Sequence, residues 1–249
     1  MLKLHLLTFW IADLIRFVYT FIVVIISPKQ TLKSIQLFKK IKAVKSSDTL
    51  VILSGFKGHS IPNIQKSYDV YGNSSGSSYF DSNAECNYVL HYNAPYHVPL
   101  NYETYESRVS NVVQAFNPKF VIATGFGEVP LTVCSAYRFF RFWAFLKPYN
   151  GPAFLIWLGM KVGYKEIVLV GCEGTQMCGA TMAREGGNVT YQTSIFYLGI
   201  ATSRMLREYD YIFKQCKKNN VKVVQVSDSS WIQPNEEDRR LVSVGDSWS

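Results

Sequence analysis

Apolar positions along this chain gather into short unbroken runs instead of alternating with polar ones. Six such runs stand out: Thr49–Leu53, Ser67–Tyr71, Tyr88–Tyr92, Lys119–Thr124, Ile167–Val170 and Val221–Val226. A strand covered by helices on both faces has no solvent side, so it reads as a continuous apolar run, the mark of a parallel sheet. Between the runs the spacing changes. Within Tyr102–Phe116, residues Val109, Val112, Val113 and Phe116 repeat at helical intervals. Leu131–Leu146 predicts an aromatic, basic helix, Pro152–Val162 a tightly apolar one, and 191–219 another, closed by Asn219-Asn220. Residues 174–190 hold four glycines and no periodicity, which predicts a long loop of the kind that usually carries function.

This order of elements predicts an α/β fold: a mainly parallel, Rossmann-like sheet with flanking helices, preceded by an N-terminal hydrophobic helix. Leu6–Ile26 is that helix, nearly continuous in apolar residues and about long enough to cross a bilayer. Asp13 and Arg16 interrupt it, and charges within a span are costly. Lys29, Lys33, Lys39, Lys40, Lys42 and Lys45 follow with no acidic residue among them, as in a cytoplasmic segment on anionic lipid. The segment therefore reads as membrane-associated, by spanning the bilayer or by lying in its interface, against the alternative of a helix packed on the domain. The expected organisation is a membrane-associated helix (1–28), a basic juxtamembrane segment (29–48), a Rossmann-like catalytic domain (49–234) on the cytoplasmic side, and a polar tail (235–249).

Composition narrows the classes further. At 48% hydrophobic and 18% charged, the 249 residues suit a folded core and exclude disorder. The net charge of +8 favours phosphates, anionic lipids or acidic substrates, and no nucleic-acid recognition module accompanies it. Five cysteines at irregular spacing read as reduced thiols, with no set of metal ligands among them.

Candidate chemistry collects at strand ends, where open α/β sheets bind ligands. Ser54-Gly-Phe-Lys-Gly-His-Ser60 is a small-residue turn in which Ser54, Gly55 and Gly58 bring backbone close to a phosphate. Lys57 and Lys147 are cations for a leaving phosphate. His59 and Glu173, each after a predicted strand, are the candidate general bases. Asp69, Glu173 and Asp228 are the carboxylates available for a metal-dependent alternative. No Asp-x-Asp motif is present, so neither a metal nor a cofactor is expected.

The stretch Gly163-Tyr-Lys-Glu-Ile-Val-Leu-Val-Gly171, with Gly151 opening the helix before it, resembles the small bacterial CMP-sialic-acid-dependent sialyltransferases of glycosyltransferase family 42 and the Rossmann-like proteins related to them. Weaker likenesses lie at Asp69-Val-Tyr71 followed by Asn73, and at Cys86 to Asn93. The resemblance implies donor-binding roles for Asn73, Asn93, Lys147, Asn150, Gly151, Gly171 and Thr175, beside the first turn. It departs from the family in three places. The first turn lacks the family's Asn and Pro, the tyrosine pair after the acidic strand end is replaced by Thr175 and Thr181, and the general-base histidine before the last helix is missing.

The function so implied is a membrane-associated glycosyltransferase, sialyltransferase-like, moving sugar from a nucleotide-activated, CMP-linked donor to a surface glycan. Its partners are then a nucleotide-sugar donor, a glycan acceptor and the membrane. The alternatives are a pyrophosphokinase-like nucleotide-binding enzyme on the same fold and a non-catalytic membrane-tethered relative.

Overall fold

The computed structural model describes residues 28–54, 64, 66–73, 88–93, 118–124, 136–138, 151–172 and 208–226, with Leu14, Val18, Ile22 and Ile25 as separate helical positions upstream. Leu50, Val51 and Ile52 of strand β1 (Thr49–Leu53) are fully buried, as an unbroken apolar run requires. β2 (Tyr68–Asn73) lies on one side of β1 and β6 (Glu166–Val170) on the other, both parallel to it. β3 (Tyr88–Asn93), β4 (Phe120–Thr124) and β5 (Ala136–Arg138) continue beyond β2, and β7 (Lys222–Gln225) beyond β6. The order is β5-β4-β3-β2-β1-β6-β7, and each pairing is parallel.

The chain thus builds outward from β1 through β5, then returns to β1 and builds the other way. The reversal falls between β1 and β6, which defines the topological switch point of the sheet.

Three helical segments are described around this sheet: α1 (Pro28–Ala43), α2 (Gly151–Val162) and residues 208–218. α2 is apolar on every side and buries every residue except Lys161, as a helix must when neighbours surround it. It packs tightly on the sheet at Gly159, where an added Cβ would run into the Leu50 side chain and stand 3.3 Å from Ile167 Cδ1. Phe154 and Trp157 stack within the same core, their centroids 5.9 Å apart.

Both helices that feed β6 and β7 end in the same way. After α2, Gly163 takes φ = 101°, its N–H bonds Met160 O and the N–H of Tyr164 bonds Gly159 O. After 208–218, Asn220 takes φ = 55°, its N–H bonds Lys217 O and the N–H of Val221 bonds Cys216 O. These are Schellman caps, and each turns the chain directly into a strand. The Gly163 and Asn219-Asn220 breaks read from the sequence are therefore helix stops.

Two findings refine the sequence reading. Leu131–Leu146 was expected as a helix, but Ala136–Arg138 is an edge strand paired with β4. Backbone pairing to the open edge of β4 outweighs the local helical pattern, because tertiary context overrides a weak propensity. The lysine-rich segment forms helix α1, whose Leu37 and Ile41 are buried in the main core while Lys39, Lys40 and Lys42 are exposed. No helix among the described residues is long and apolar enough to cross a membrane. The expected helix 102–116, loop 174–190 and tail 235–249 lie outside the described residues.

Candidate functional site at the carboxyl edge of the sheet

Register fixes what meets at the carboxyl edge. Leu53 pairs with Gly72 on one side and with Val170 on the other, so Ser54, Asn73 and Gly171 emerge side by side. Ser54 is buried, and its N–H donates to Val170 O at 2.9 Å, extending the ladder across the switch point. Gly171 then turns with φ = 67°, a conformation that costs other residues about 1–2 kcal/mol. Cys172 is buried against this turn, its thiol directed at Ile52 O and Val170 O at 3.8 and 3.7 Å.

α2 brings the second half of the site. An ideal Cβ on Gly151 would lie 2.9 Å from Asn73 Oδ1 and 3.1 Å from Asn73 Nδ2. Only a residue without a side chain lets the start of α2 rest on that amide. The N-terminus of α2, with Pro152 in its first turn, is thereby aimed at the carboxyl edge. Aligned peptide dipoles make such an end favourable for an anion, and phosphate is the usual one. Asn73 and Gly151, named separately from the sequence, meet here. Asn93 ends β3 on the same edge, paired with Thr124. Gly55, Gly58, His59, Lys147, Asn150, Glu173 and Thr175 lie outside the described residues, as do Lys57 and Asp228.

Asp69 belongs to a different place. It opens β2 at the opposite, amino edge of the sheet, where Leu50 pairs with it. Wholly buried, it accepts hydrogen bonds from the Tyr164 hydroxyl at 2.6 Å, from the Ser46 N–H at 2.9 Å, from the Ser46 hydroxyl and from the Ser47 N–H. This carboxylate is committed to structure and does not converge with the carboxyl-edge residues. Tyr71 crosses the Tyr164 ring edge-on, with centroids 5.7 Å apart. Burial raises the pKa of both phenols, Tyr71 adds to the rise at Tyr164, and the Asp69 charge adds to both, so both stay protonated at ordinary pH.

The segment that carries the sequence resemblance sits at this amino edge as well. Gly163 caps α2, Tyr164 holds Asp69, and the Lys165 N–H bonds Asp48 O at 2.9 Å. Glu166 pairs with Lys222 at 3.0 Å, across from β6 to β7. Gly163 to Glu166 therefore specify the fold, whereas Gly171 alone of that stretch's ends reaches the site.

One residue escaped the sequence reading. Gln225 is 3% exposed, and neither amide atom has a hydrogen-bond partner among the described residues. It pairs in register with Leu169, near the carboxyl end of β7. A glutamine in the apolar run Val221–Val226 was the available signal. Among the described residues no group of three or more His, Cys, Asp or Glu side chains could hold a metal ion.

Comparison with known proteins gives little beyond this geometry. No family model matches the chain, and no curated protein matches it. Among solved structures it is similar to the monofunctional alpha-2,3-sialyltransferase Cst-I from Campylobacter jejuni, at 11% identity and a TM-score of 0.43, over 81% of this chain and 83% of that one. A likeness of this size is one of distant overall architecture.

Proposed function

We propose that the chain is a glycosyltransferase that takes a nucleotide-activated sugar at the carboxyl edge of β1, β2 and β6 and works at a membrane. The contact between Asn73 and Gly151 carries this reading. It sets a buried amide, able both to donate and to accept, against a helix N-terminus at the switch point of the sheet. An amide suits a nucleoside or sugar hydroxyl, and the helix end suits the phosphate beside it.

The reaction that follows is displacement at the anomeric carbon. The acceptor hydroxyl oxygen bonds to that carbon, the bond from carbon to phosphate oxygen breaks, and the nucleotide leaves as an anion. The α2 N-terminus and Gly171 turn stabilise that charge, as fixed dipoles do where charge develops. Glu173 or His59 takes the acceptor's proton. The sequence resemblance favours CMP as the leaving nucleotide and a surface glycan as acceptor, and the lysine cluster favours a cytoplasmic setting.

Thermal-shift measurements with CMP, UDP, GDP and ATP, with and without magnesium, test the proposal. Stabilisation by CMP without magnesium is the expected result. Stabilisation only by ATP with magnesium would replace transfer of sugar by transfer of phosphoryl. Indifference to all four nucleotides would leave a non-catalytic relative.

A further inference from the structure

Gln225 stands on the same face of the sheet as Asn73. In a parallel sheet, residues in register point to one face, and that face recurs at every second residue. Tyr71, Ile52, Leu169 and Gln225 form one such row across β2, β1, β6 and β7. Tyr71, Ile52 and Leu169 share one buried core with Phe154 of α2 and with Ile212 of the helix at 208–218, so this is the face those helices cover. Asn73 and Gly171 lie two residues beyond the row, and the approach of Gly151 to the Asn73 amide fits the same side. Gln225 is thus one strand across from the Gly171 turn and two residues back. With strands about 4.8 Å apart and a rise of about 3.3 Å per residue, the two backbone positions are about 8 Å apart.

The side chain is 3% exposed, and neither Oε1 nor Nε2 has a hydrogen-bond partner among the described residues. Folded proteins seldom leave a buried amide bare, because the desolvated group has lost its water for nothing. Its neighbour in register, Leu169, and the next residue of its own face, Val223, are buried and apolar. A charged group would be costly against them, so the group that meets Gln225 is neutral. A carboxamide offers a donor and an acceptor side by side. The polar edge of a nucleobase matches both at once, and its flat faces suit apolar walls. A sugar would bring hydroxyls on several sides into the same apolar surroundings, where most would go unpaired. We infer that Gln225 recognises the base of the bound nucleotide, whose phosphate lies at the Gly171 turn and the start of α2. This rests on the nucleotide-sugar site proposed above and extends it from β1, β2 and β6 onto β7. A separation of about 8 Å lies within the length of one nucleoside monophosphate. The cost of the unpaired amide in the free protein is then offset when the base binds.

Calorimetric titration of the full chain with CMP tests the inference, with ribose 5-phosphate read as a competitor of CMP. Ribose 5-phosphate keeps the sugar and the phosphate and lacks the base. Gln225→Leu is expected to weaken CMP binding about 10- to 100-fold, the discrimination that a paired amide contact gives. The inhibition constant of ribose 5-phosphate should stay as it is in the native protein. Gln225→Met, which keeps the length of the side chain without its polar atoms, should behave in the same way and guards against a leucine variant that fails to fold. Thermal melting without ligand checks that each variant is folded. Equal CMP affinity in the native and substituted chains would overturn the base contact and leave Gln225 a structural residue. A parallel loss for CMP and ribose 5-phosphate would overturn it as well, because the effect would then lie at the phosphate or in the fold. The two proposals separate cleanly. If the native chain ignores CMP, the nucleotide-sugar reading falls and the base contact with it; if CMP binds and Gln225 does not matter, the base contact alone falls.

Discussion

The Tyr164 hydroxyl donates a 2.6 Å hydrogen bond to Asp69, joining the turn before β6 to the first turn of β2 under the amino edge of the sheet. Ser46 adds two more bonds to the same carboxylate, so one buried charge ties together three segments distant in sequence. Removing a partner from a buried charge costs more than the bond's net worth, because the group left behind is desolvated and under-satisfied. Tyr164→Phe is expected to lower unfolding free energy by about 2–3 kcal/mol, and Asp69→Ala by about 3–5 kcal/mol. Urea denaturation reads both. Since the latch lies at the edge away from Asn73, the stabilisation by CMP should be the same in Tyr164→Phe as in the native protein. A lost CMP response in a folded Tyr164→Phe variant would mean that the two edges are coupled.

Alkali should unfold the protein through the same residues. Tyr71 and Tyr164 have folded pKa values raised by burial above the ordinary value of 10.0, and burial pushes the Cys216 thiol up to about 12 from 9.0. A raised folded pKa means that the native state holds its proton where the unfolded chain has released it. Stability from these groups is thus fully present below about pH 9, where the unfolded thiol begins to ionise, and declines as pH rises, with the phenols joining above about pH 10. Each buried phenol contributes a slope of about 1.4 kcal/mol per pH unit in that range. Among the described residues the Tyr71 hydroxyl has no partner within hydrogen-bond geometry, so Tyr71→Phe should cost little at neutral pH and flatten the alkaline decline. Melting temperature against pH, native beside Tyr71→Phe, measures this; identical alkaline limbs would count against it.

Gly151→Ala puts a methyl group 2.9–3.1 Å from the Asn73 amide. Asn73 is itself buried, so the contact is relieved by displacing the amide or the first turn of α2. A clash of this kind costs about 1–2 kcal/mol, which corresponds to a loss of roughly tenfold in affinity for the nucleotide. Asn73→Ala is expected to weaken binding similarly while removing the clash. Combining the two substitutions should therefore cost less than the sum, and calorimetric titration of all three variants gives the coupling. Strict additivity would show that the two residues act apart.

Gln225 carries a stability penalty that a ligand or a substitution can lift. A buried amide whose atoms have no hydrogen-bond partner among the described residues costs about 1–3 kcal/mol by the usual desolvation penalty. Gln225→Leu is expected to raise stability by about 1–3 kcal/mol, since the leucine keeps most of the volume and loses the polar atoms. Urea midpoints compare the two. A lower midpoint for the leucine variant would show that the amide is satisfied in solution.

The unbroken apolar runs were enough to read a parallel sheet, because a strand with helices on both faces has no polar side to show. Six of the seven strands among the described residues were legible in this way. β5 was not, since three residues carry too little pattern to compete with the helical spacing around them, and only pairing with β4 makes them a strand. Asn73, Gly151 and Gly171 were legible as candidates from small-residue turns and from the resemblance. Their meeting was not, because contact across the sheet depends on strand order, and strand order is set by packing distant segments together. Asp69 shows the converse. In sequence it was a carboxylate near a strand and open to any role; register placed it at the amino edge, and four donors fixed it there. The sequence determined the six longer strands, the tightly apolar helix before β6 and where the turns fall, because these follow from local burial and backbone preference. The tertiary structure alone decided which end of each strand faces which, and so parted the Tyr164–Asp69 latch from the Asn73–Gly151 site.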